Sequence, residues 1–385
     1  MIVTRLKLTN WRNFRKLDVQ LREVTYVLGP NASGKSNLLD VFRFLRDVSK
    51  PRGGGLQTAV ADRGGISKLR CLHARRDPEV LIEVHLAESA DDEPKWRYVL
   101  GFKAALDPRN RKNQEVSVSQ EQVWMDGKSL LNRPGPSDKN DLQLLSQTHL
   151  EQIQTNTKFR DLVTFFGDTT YLHLVPQLLK FADKLGGHRI EDDPFGQGLL
   201  ERIAKTPART RNARLTKIGK ALSLAVPQFQ ELKYVQDDLG HPHLEALYAH
   251  HRPNAGWQSE EYFSDGTLRL LGLLWVLLGG DSLLLLEEPE ISLNDAIVRQ
   301  IPLMLHRVQQ GRTRRQVLIS THSEALLSNQ GIDGRGIVLL QSGPEGSTAR
   351  TIDTDEARLI KGGLSVSEVV LPKTRPLTVN QLGFW

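Results

Sequence analysis

The sequence predicts an α/β protein, with a parallel sheet, further strands that include a hairpin, and a mainly helical region between its N-terminal and C-terminal parts. Helical and strand patterns alternate from residue 267 to residue 340, which is typical of a parallel sheet with crossover helices. A strand that ends at Leu28 passes through a glycine-bearing loop into an amphipathic helix over 35–48. The stretch 141–225 has mainly helical patterns and separates these two parts.

The N-terminal elements follow from the spacing of apolar residues. Alternation predicts strands over 2–8 and 17–28, with a polar turn at 10–15 between them. The helix over 35–48 ends before a loop of proline and glycine at 51–55. Further strands are predicted over 80–87, 96–103 and 115–125, the first two of them as a hairpin.

The C-terminal elements begin after the helical stretch. A stretch with prolines, glycine and charge at 132–140 marks a boundary, and a β-like segment covers 229–249. The alternating region then predicts helices over 267–278, 294–309 and 324–328, and strands over 283–287, 316–320 and 336–340.

Composition and charge exclude several classes of protein. The chain has 385 residues, with 51 Lys and Arg against 45 Asp and Glu, so its formal net charge is +6. The single cysteine, Cys71, cannot form an internal disulfide, which fits a reducing cytoplasm. No apolar run approaches the roughly 18–20 residues that a membrane span needs. We therefore expect a cytoplasmic protein without a membrane partner.

The segment after Leu28 has the pattern of a phosphate-binding loop. Residues 29–36 fit G-x-x-x-x-G-K-[ST] between a strand and a helix, where backbone N–H groups attract phosphate oxygens. Lys35 is placed to reach the β- and γ-phosphates, and Ser36 to bind Mg²⁺. A chance glycine turn would show the same letters, but the flanking elements favour a nucleoside triphosphate site. The predicted nucleotide-binding residues are Gly29, Pro30, Asn31, Ala32, Ser33, Gly34, Lys35, Ser36 and Asn37.

A second candidate site lies at the end of a strand of leucines. The run 283–286 predicts a central strand covered on both faces, and Glu287 and Glu288 follow it. Carboxylates at this end of a parallel strand lie in the crevice where such sheets bind ligands. One acid can hold Mg²⁺ and the next can act as a base on water. On its own, the strand end is explained equally well by a solvated acidic turn.

Two further segments have weaker signals. Ser264 precedes a helix and can cap it, leaving N–H groups for a phosphate, although a plain capped helix start is the favoured interpretation of that segment alone. His322 follows the strand after the acidic strand. A histidine there can touch a γ-phosphate, whereas read alone it is more often structural.

Taken in order, these segments resemble the motifs of ABC-type ATPases, specifically their SMC/RecF/OLD branch. The phosphate loop matches the Walker A motif of that branch, and His322 matches its switch histidine. The segments between them match the signature (264–269), Walker B (283–288) and the D-loop (291–295). The opening segment 6–14 leads into Asn-Phe-Arg at 13–15, which resembles the N-terminal motif of proteins of that branch. The resemblance implies the P-loop NTPase fold of an ABC-type ATPase head, in which a mixed sheet core carries an antiparallel β lobe and a mainly helical lobe is inserted between two halves. Its expected parts are 1–135 and 241–345 as the two halves of the head, 136–240 as the inserted lobe and 346–385 as a C-terminal tail.

The resemblance also implies a mechanism, in which two heads bind ATP between them and hydrolysis releases the dimer. Lys35 and Ser36 would bind phosphate and Mg²⁺. Glu287 would lie on the metal side and Glu288 would be the catalytic base. Because Glu287 stands where the family usually has Asp, the division of labour between these two acids stays open. The remaining roles would be γ-phosphate contact in trans by Ser264, Asp265 and Gly266, γ-phosphate sensing by His322, nucleotide contact by Arg12 or Asn13, and a Q-loop glutamine from Gln57 or Gln143.

The inserted lobe has a basic run and no sustained heptads, so we expect no long coiled-coil arm. Pro207 breaks any helix within the basic run. A solvated surface and a contact with DNA phosphates explain the run equally well. Its residues are Arg202, Lys205, Arg209, Arg211, Arg214, Lys217 and Lys220.

Our leading interpretation is an ATPase that forms a homodimer or higher even oligomer through ATP-sandwiched heads and senses or holds DNA. The resemblance connects it with DNA repair or anti-phage defence. Few acids follow the last predicted strand, so we expect a nuclease or toxin effector to be a separate protein. An alternative is an ATP-switched scaffold that binds a protein partner without DNA contact. A third interpretation, an ABC transporter subunit, is disfavoured by the inserted lobe.

Overall fold

The structure of the protein is a computed structural model, which describes residues 1–74, 77–105, 115–181, 195–250, 256–280, 282–309, 315–374 and 383. Three sheets form within these residues. The first is antiparallel, with the strand order β2-β1-β4-β5-β6-β7. Its strands are β1 (Ile2–Trp11), β2 (Phe14–Gln20), β4 (Val80–Ala87), β5 (Trp96–Ala104), β6 (Val116–Met125) and β7 (Lys128–Arg133).

The second sheet is mixed and has the order β15-β14-β3-β13-β12-β8. Its neighbours run parallel except for the terminal hairpin of β14 and β15. Its strands are β3 (Val24–Leu28), β8 (Thr170–Leu172), β12 (Leu284–Glu287), β13 (Val317–Ser320), β14 (Ile337–Gly343) and β15 (Gly346–Thr351). A small antiparallel sheet is built from β9 (Phe229–Gln236), β10 (Pro242–Tyr248) and β11 (Trp257–Ser259). The predicted mixed sheet with an antiparallel β lobe is confirmed.

Helices connect and cover these sheets. They are α1 (Lys35–Ser49), α2 (Leu56–Ala61), α3 (Ile66–Leu69), α4 (Pro136–Asn140), α5 (Arg160–Gly167), α6 (Pro176–Lys180), α7 (Leu199–Lys205), α8 (Ala208–Ala225), α9 (Asp265–Leu277), α10 (Asp295–Val298), α11 (Ile301–Gln309), α12 (Glu324–Leu327), α13 (Thr354–Lys361) and α14 (Val366–Val370). Short 3₁₀ turns cover Leu142–Ser146, Asn156–Phe159, Glu260–Tyr262, Gly334–Gly336 and Leu371–Thr374.

Two elements that were predicted to be continuous are each divided in the structure. The strand expected over 17–28 is two strands in different sheets, since β2 pairs with β1 whereas β3 pairs with β13 and β14. The helix expected over 294–309 is interrupted between Val298 and Ile301. Pro302 explains that interruption, because it has no N–H to donate to the preceding turn and is tolerated only in the first turn of a helix.

Alternate residues of the parallel strands supply two hydrophobic cores. In the run 283–286, Leu283 and Leu285 face a core shared with the antiparallel sheet and α1. Leu284 and Leu286 face a second core shared with α8, α9 and α11. All four side chains are fully buried, and each contributes about 1.5–3 kcal/mol by leaving water. The run is therefore a central strand covered on both faces, as predicted.

The middle of the chain contributes to both of these cores. Phe159, Leu162 and Phe166 pack into the first core, and Leu215 and Leu222 into the second. The short strand β8, which the helical patterns of this stretch concealed, forms an edge of the mixed sheet. The division into a split head and an inserted lobe stays a prediction.

Within the part of the chain that the structure describes, there is no helix with the length and apolar character that crossing a membrane requires.

Candidate nucleotide-binding and hydrolysis site

The phosphate loop lies between the carboxyl end of β3 and the first turn of α1. Gly34 precedes the helix with φ of 102°, a left-handed conformation that favours glycine. A Cβ atom on Gly34 would lie 2.2 Å from Nδ2 of Asn13, so a larger residue would displace that side chain. Because glycine offers no side-chain cap, the first N–H groups of α1 are available to a bound anion.

The amine of Lys35 is folded over this loop. Its Nζ donates to the carbonyl oxygens of Gly29 at 2.9 Å and Pro30 at 3.3 Å. Burial lowers the pKa of Lys35, while the charges of Glu288 and Glu287 oppose that shift. The buried Ser33 hydroxyl beside it has no hydrogen-bond partner among the described residues. The loop therefore holds a cation and an unsatisfied hydroxyl, both of which fit phosphate oxygens.

The Ser36 hydroxyl reaches the acidic strand. It donates to Oε1 of Glu287 at 2.5 Å, which joins the start of α1 to the end of β12. The other oxygen of Glu287 accepts from the hydroxyl of Tyr171 on β8, also at 2.5 Å. Burial, followed by the charge of Glu287, raises the pKa of Tyr171 well above its ordinary value, so this hydroxyl is a donor. The sequence patterns did not indicate Tyr171.

Glu288 and His322 meet at the ends of neighbouring strands. Nδ1 of His322 lies 3.2 Å from Oε1 of Glu288. Glu288 has φ of 45°, a conformation uncommon for residues other than glycine, and its N–H donates to the carbonyl of Ser320. The same strand end holds Glu290, whose carboxylate accepts from the Thr321 hydroxyl at 2.5 Å. The predicted acidic and histidine segments therefore converge on the phosphate loop.

The opening segment braces the loop from the other side. Nδ2 of Asn13 donates to the carbonyl of Ser33 at 2.9 Å and to Oγ of Ser347 at 2.7 Å. Its Oδ1 accepts from Nδ2 of Asn37 at 2.8 Å. The guanidinium of Arg12, in contrast, pairs with Asp40 on α1 at 2.7 Å. The structure thus places Asn13 against the phosphate loop and Arg12 against the following helix.

The signature segment lies at the start of α9. Oγ of Ser264 accepts from the N–H of Thr267 at 3.1 Å, which is the predicted helix cap. A Cβ atom on Gly266 would lie 2.7 Å from the carbonyl of Ser292, so the glycine permits close packing against the D-loop segment. The Asp265 carboxylate is bound by Lys180 at 2.8 Å and by Gln177 at 2.7 Å.

Among the described residues, no hydrogen bond or ion pair joins these signature residues to the phosphate loop of the same chain. The two candidates for a Q-loop glutamine lie elsewhere. Gln57 hydrogen-bonds the backbone of Val116 and Ser146, and Gln143 lies on an exposed 3₁₀ turn. Among the described residues, no hydrogen bond joins either glutamine side chain to the phosphate loop.

Comparison with known proteins identifies the family of this chain. The sequence model of the family described as "AAA domain, putative AbiEii toxin, Type IV TA system" matches residues 24–328, well over half of the chain. The chain belongs to this family. The match runs from the strand before the phosphate loop to the helix after His322, so it contains both converging motifs.

Two curated relatives of this AAA domain protein are both named DNA replication and repair protein RecF. The one from Roseiflexus castenholzii is 36% identical over 101 residues, which are 24% of this chain and 26% of that protein. The one from Agathobacter rectalis is 30% identical over 91 residues, which are 23% of this chain and 25% of that protein. The similarity spans about a quarter of the length of these relatives.

Solved structures show the fold. A crystal structure of an SMC head bound to the C-winged helix domain of ScpA has a TM-score of 0.57 and 15% identity, over 93% of this chain and 100% of that one. An SMC head with an extended coiled coil from Pyrococcus furiosus, bound to the C-terminal domain of ScpA, has a TM-score of 0.51 and 15% identity, over 94% and 98%. The predicted fold, that of an ATPase head of the SMC type, is confirmed.

The donors in this AAA domain protein fit Mg²⁺ held jointly with a nucleotide. Ser36 and Glu287 offer a hydroxyl and a carboxylate, both oxygen ligands of the type that Mg²⁺ prefers. Among the described residues, no group of three or more His, Cys, Asp or Glu side chains could hold a metal ion alone. Mg²⁺ commonly binds through one or two protein oxygens together with substrate phosphates, which is the arrangement that these residues permit.

The basic run of the AAA domain protein divides between two helices. Arg202 and Lys205 lie on α7, the other five lie on α8, and Pro207 separates the helices as predicted. The guanidinium of Arg211 lies 3.9 Å from the ring centre of Tyr234, and that of Arg214 lies 5.4 Å from that of Trp275. Both arginines are thus engaged within the fold. The side chains that are exposed are those of Lys205, Arg209, Lys217 and Lys220.

Proposed function

We propose that the chain binds ATP with Mg²⁺ at the phosphate loop and hydrolyses it. The observation that carries the proposal is the 2.5 Å contact between Ser36 and Glu287, residues 251 positions apart in the chain. It brings the candidate metal ligands of two separate motifs to one point, with Glu288 and His322 beside them. Family membership and the RecF names of the relatives support the same conclusion.

Each residue has a role that follows from its position. Lys35 exchanges the carbonyls of Gly29 and Pro30 for phosphate oxygens, and the first N–H groups of α1 bind the same phosphates. Ser36 and Glu287 would hold Mg²⁺, and the bound ion would supply positive charge against the phosphates. Glu288 accepts a proton from the attacking water, and His322 orients its carboxylate.

The signature residues act on the nucleotide of a second copy in this proposal, which makes the active form a homodimer or higher even oligomer. The support is that Ser264 and Gly266 begin a separate helix and lack contacts with their own phosphate loop among the described residues. Tyr262 beside them is 74% exposed, so an aromatic side chain next to the signature is available to a second copy.

Nucleotide binding is tested with Lys35→Ala. The substitution removes the cation of the loop, and we expect ATP affinity, measured by calorimetry with Mg²⁺, to fall by at least about 10-fold, which is about 1.4 kcal/mol. Lys16→Ala removes an exposed lysine of β2 and is the matched control. Equal affinity in the two variants, or no ATP binding by the wild type, would refute the proposed function.

We also propose that the outer face of α8 contacts DNA phosphates. At about 100° per residue, Arg209, Lys217 and Lys220 fall within about 80° of one another on this helix. They lie opposite the buried Leu215, Ile218 and Leu222. Phosphate contacts of this type bind without regard to sequence and weaken as salt rises.

The DNA contact is tested by reversing these three exposed charges to Glu. We expect binding of a DNA duplex at low salt to fall at least about 10-fold, with a shallower salt dependence. Reversal of the exposed Lys103, Lys128 and Lys139 changes the net charge equally and is the control. Reversal of Arg211 and Arg214 is less informative because these two side chains also pack on aromatic rings.

If the wild type binds no DNA at low salt, the alternative function is favoured, an ATP-switched scaffold that binds a protein partner. We propose that the protein acts in the cytoplasm, in DNA repair or anti-phage defence, with a separate nuclease or toxin as effector. The relatives named as repair proteins and the toxin–antitoxin description of the family support this assignment. Identification of a nuclease or toxin that co-purifies in an ATP-dependent manner tests it, and a membrane permease in that position would contradict it.

A further inference from the structure

Tyr171 lies on β8, the strand next to β12, and its partner in the sheet register lies two residues before Glu287. The two strands are parallel, and Tyr171 is paired with Leu285. Side chains two residues apart on a strand share a face, so Tyr171 and Glu287 project from the same side of the sheet. The length of the tyrosine then carries its hydroxyl forward to the carboxylate.

The ring of Tyr171 is buried beside helix α1. It is 6% exposed, and the guanidinium carbon of Arg43 lies 4.3 Å from the ring centre. Arg43 is seven residues beyond Ser36 on α1, two helical turns along the same face. Helix α1 thus contacts both ends of one unit, Glu287 through Ser36 and the tyrosine ring through Arg43.

Glu287 has one more rotatable bond than aspartate, so its carboxylate needs a second point of attachment to keep one orientation. The Ser36 hydroxyl holds one oxygen and the Tyr171 hydroxyl holds the other. When Ser36 turns its oxygen to a metal ion, Tyr171 remains as the donor that orients the carboxylate. Outer hydrogen bonds of this kind commonly change metal affinity by about 10–100-fold.

We propose that Tyr171 is a positioning residue for Mg²⁺, holding Glu287 in the orientation that binds the metal together with the nucleotide. This inference rests on the proposed ATP and Mg²⁺ site. It assigns to β8 a role that the motif pattern does not contain.

The test is Tyr171→Phe, which removes only the hydroxyl. We expect the Mg²⁺ concentration that half-saturates binding of a fluorescent, non-hydrolysable ATP analogue to rise about 10-fold. Binding of the same analogue in EDTA should be unchanged, because Lys35 and the loop N–H groups are intact. Tyr26→Phe removes the hydroxyl of a buried tyrosine on β3 of the same sheet and should leave both measurements unchanged.

A double-mutant cycle with Glu287→Gln separates positioning from a general loss of structure. We expect Tyr171→Phe to add no further change to the Mg²⁺ requirement once Glu287 has become an amide. Additive effects, a Mg²⁺ titration equal to that of the wild type, or weakened binding in EDTA would each overturn the inference. If the wild type itself shows no Mg²⁺-dependent nucleotide binding, the proposed function fails instead.

Discussion

Oε1 of Glu288 lies 3.2 Å from Nδ1 of His322, so the candidate base and the candidate sensor of the site form one pair. The pair exists because β12 and β13 are parallel neighbours, with Glu287 in register with Ser320. The N–H of Glu288 donates to the carbonyl of Ser320, which holds the backbone of the acid at the end of the sheet. His322 then limits the rotation of the carboxylate.

Removing the imidazole of His322 should lower the rate of ATP hydrolysis more than it lowers the affinity for ATP. We expect His322→Ala to reduce the rate of ATP hydrolysis by about 10–100-fold, since a positioned base contributes about 10²–10⁴-fold and the carboxylate itself remains. ATP affinity should change little, because Lys35 and the loop are untouched. His306→Ala, an exposed histidine on α11, is the control. A loss of affinity as large as the loss of rate would show that His322 acts in binding.

Asn13 should matter for the shape of the phosphate loop. Its amide bonds Ser33, Ser347 and Asn37, so Asn13→Ala leaves several polar groups without these partners. We expect ATP affinity to fall by about 1–2 kcal/mol, because the loop would have to take its binding shape without these part-buried hydrogen bonds, each worth about 0.5–1.5 kcal/mol. Calorimetry on this variant and on Asn132→Ala, whose side chain accepts from Gln122 at an exposed site, makes the comparison. Equal affinities would mean that the loop keeps its shape without Asn13.

Gln316 links the two large sheets. Its side chain accepts from the N–H of Val3 at 2.8 Å and donates to the carbonyl of Val3 at 2.7 Å and that of Arg22 at 2.9 Å. Gln316→Leu should lower the free energy of unfolding by about 2–4 kcal/mol, because buried backbone groups lose their partners. Urea denaturation measures the change, with the exposed Gln341→Leu as control. A loss below about 0.5 kcal/mol, the range of neutral surface substitutions, would contradict the link.

The buried carboxyl of Glu151 should make the free energy of unfolding depend on pH. Burial raises the pKa of its carboxyl to about 7, although backbone N–H groups of Thr148 and Leu56 oppose the shift. The folded protein therefore binds a proton that the unfolded chain releases at lower pH. This contribution to stability is complete below the unfolded pKa and is lost as pH rises through about 7.

The measurement is the difference in unfolding free energy between the wild type and Glu151→Gln. We expect it to fall by at most about 1.4 kcal/mol per pH unit between about pH 5 and pH 7. A difference is needed because burial lowers the pKa of His149 to about 4, which gives a slope of opposite sign over part of this range. A difference that rises with pH, or does not change, would contradict the assignment.

The sequence predicted the residues of the site that belong to short patterns. Ser36 and Glu287 were both expected, because a loop after one strand and acids after another lie at the same edge of a parallel sheet. Tyr171 was not expected, and neither were the hydrogen bonds that Asn13 makes with Ser33, Asn37 and Ser347. Their contacts depend on which strand lies beside which, and a three-residue strand inside a helical region has too little pattern to indicate its neighbour.

The fold was predictable for similar reasons. The alternating region and the antiparallel hairpin were correct in type, whereas the break after Gln20 was missed because both segments have strand patterns and differ only in the sheet they join. Strands β7 and β15 were also missed, since their residues are largely polar and their pairing is set by the neighbouring strand.

In the proposed mechanism, ATP joins two heads until Glu288 promotes its hydrolysis. The most direct test is the molar mass of Glu288→Gln over time after MgATP is added, measured by light scattering beside the wild type and Glu231→Gln, an exposed acid. We expect Glu288→Gln to become dimeric and to stay so, while the other two proteins return to monomers as ATP is consumed. A Glu288→Gln protein that stays monomeric with ATP, or dissociates as fast as the wild type, would contradict it.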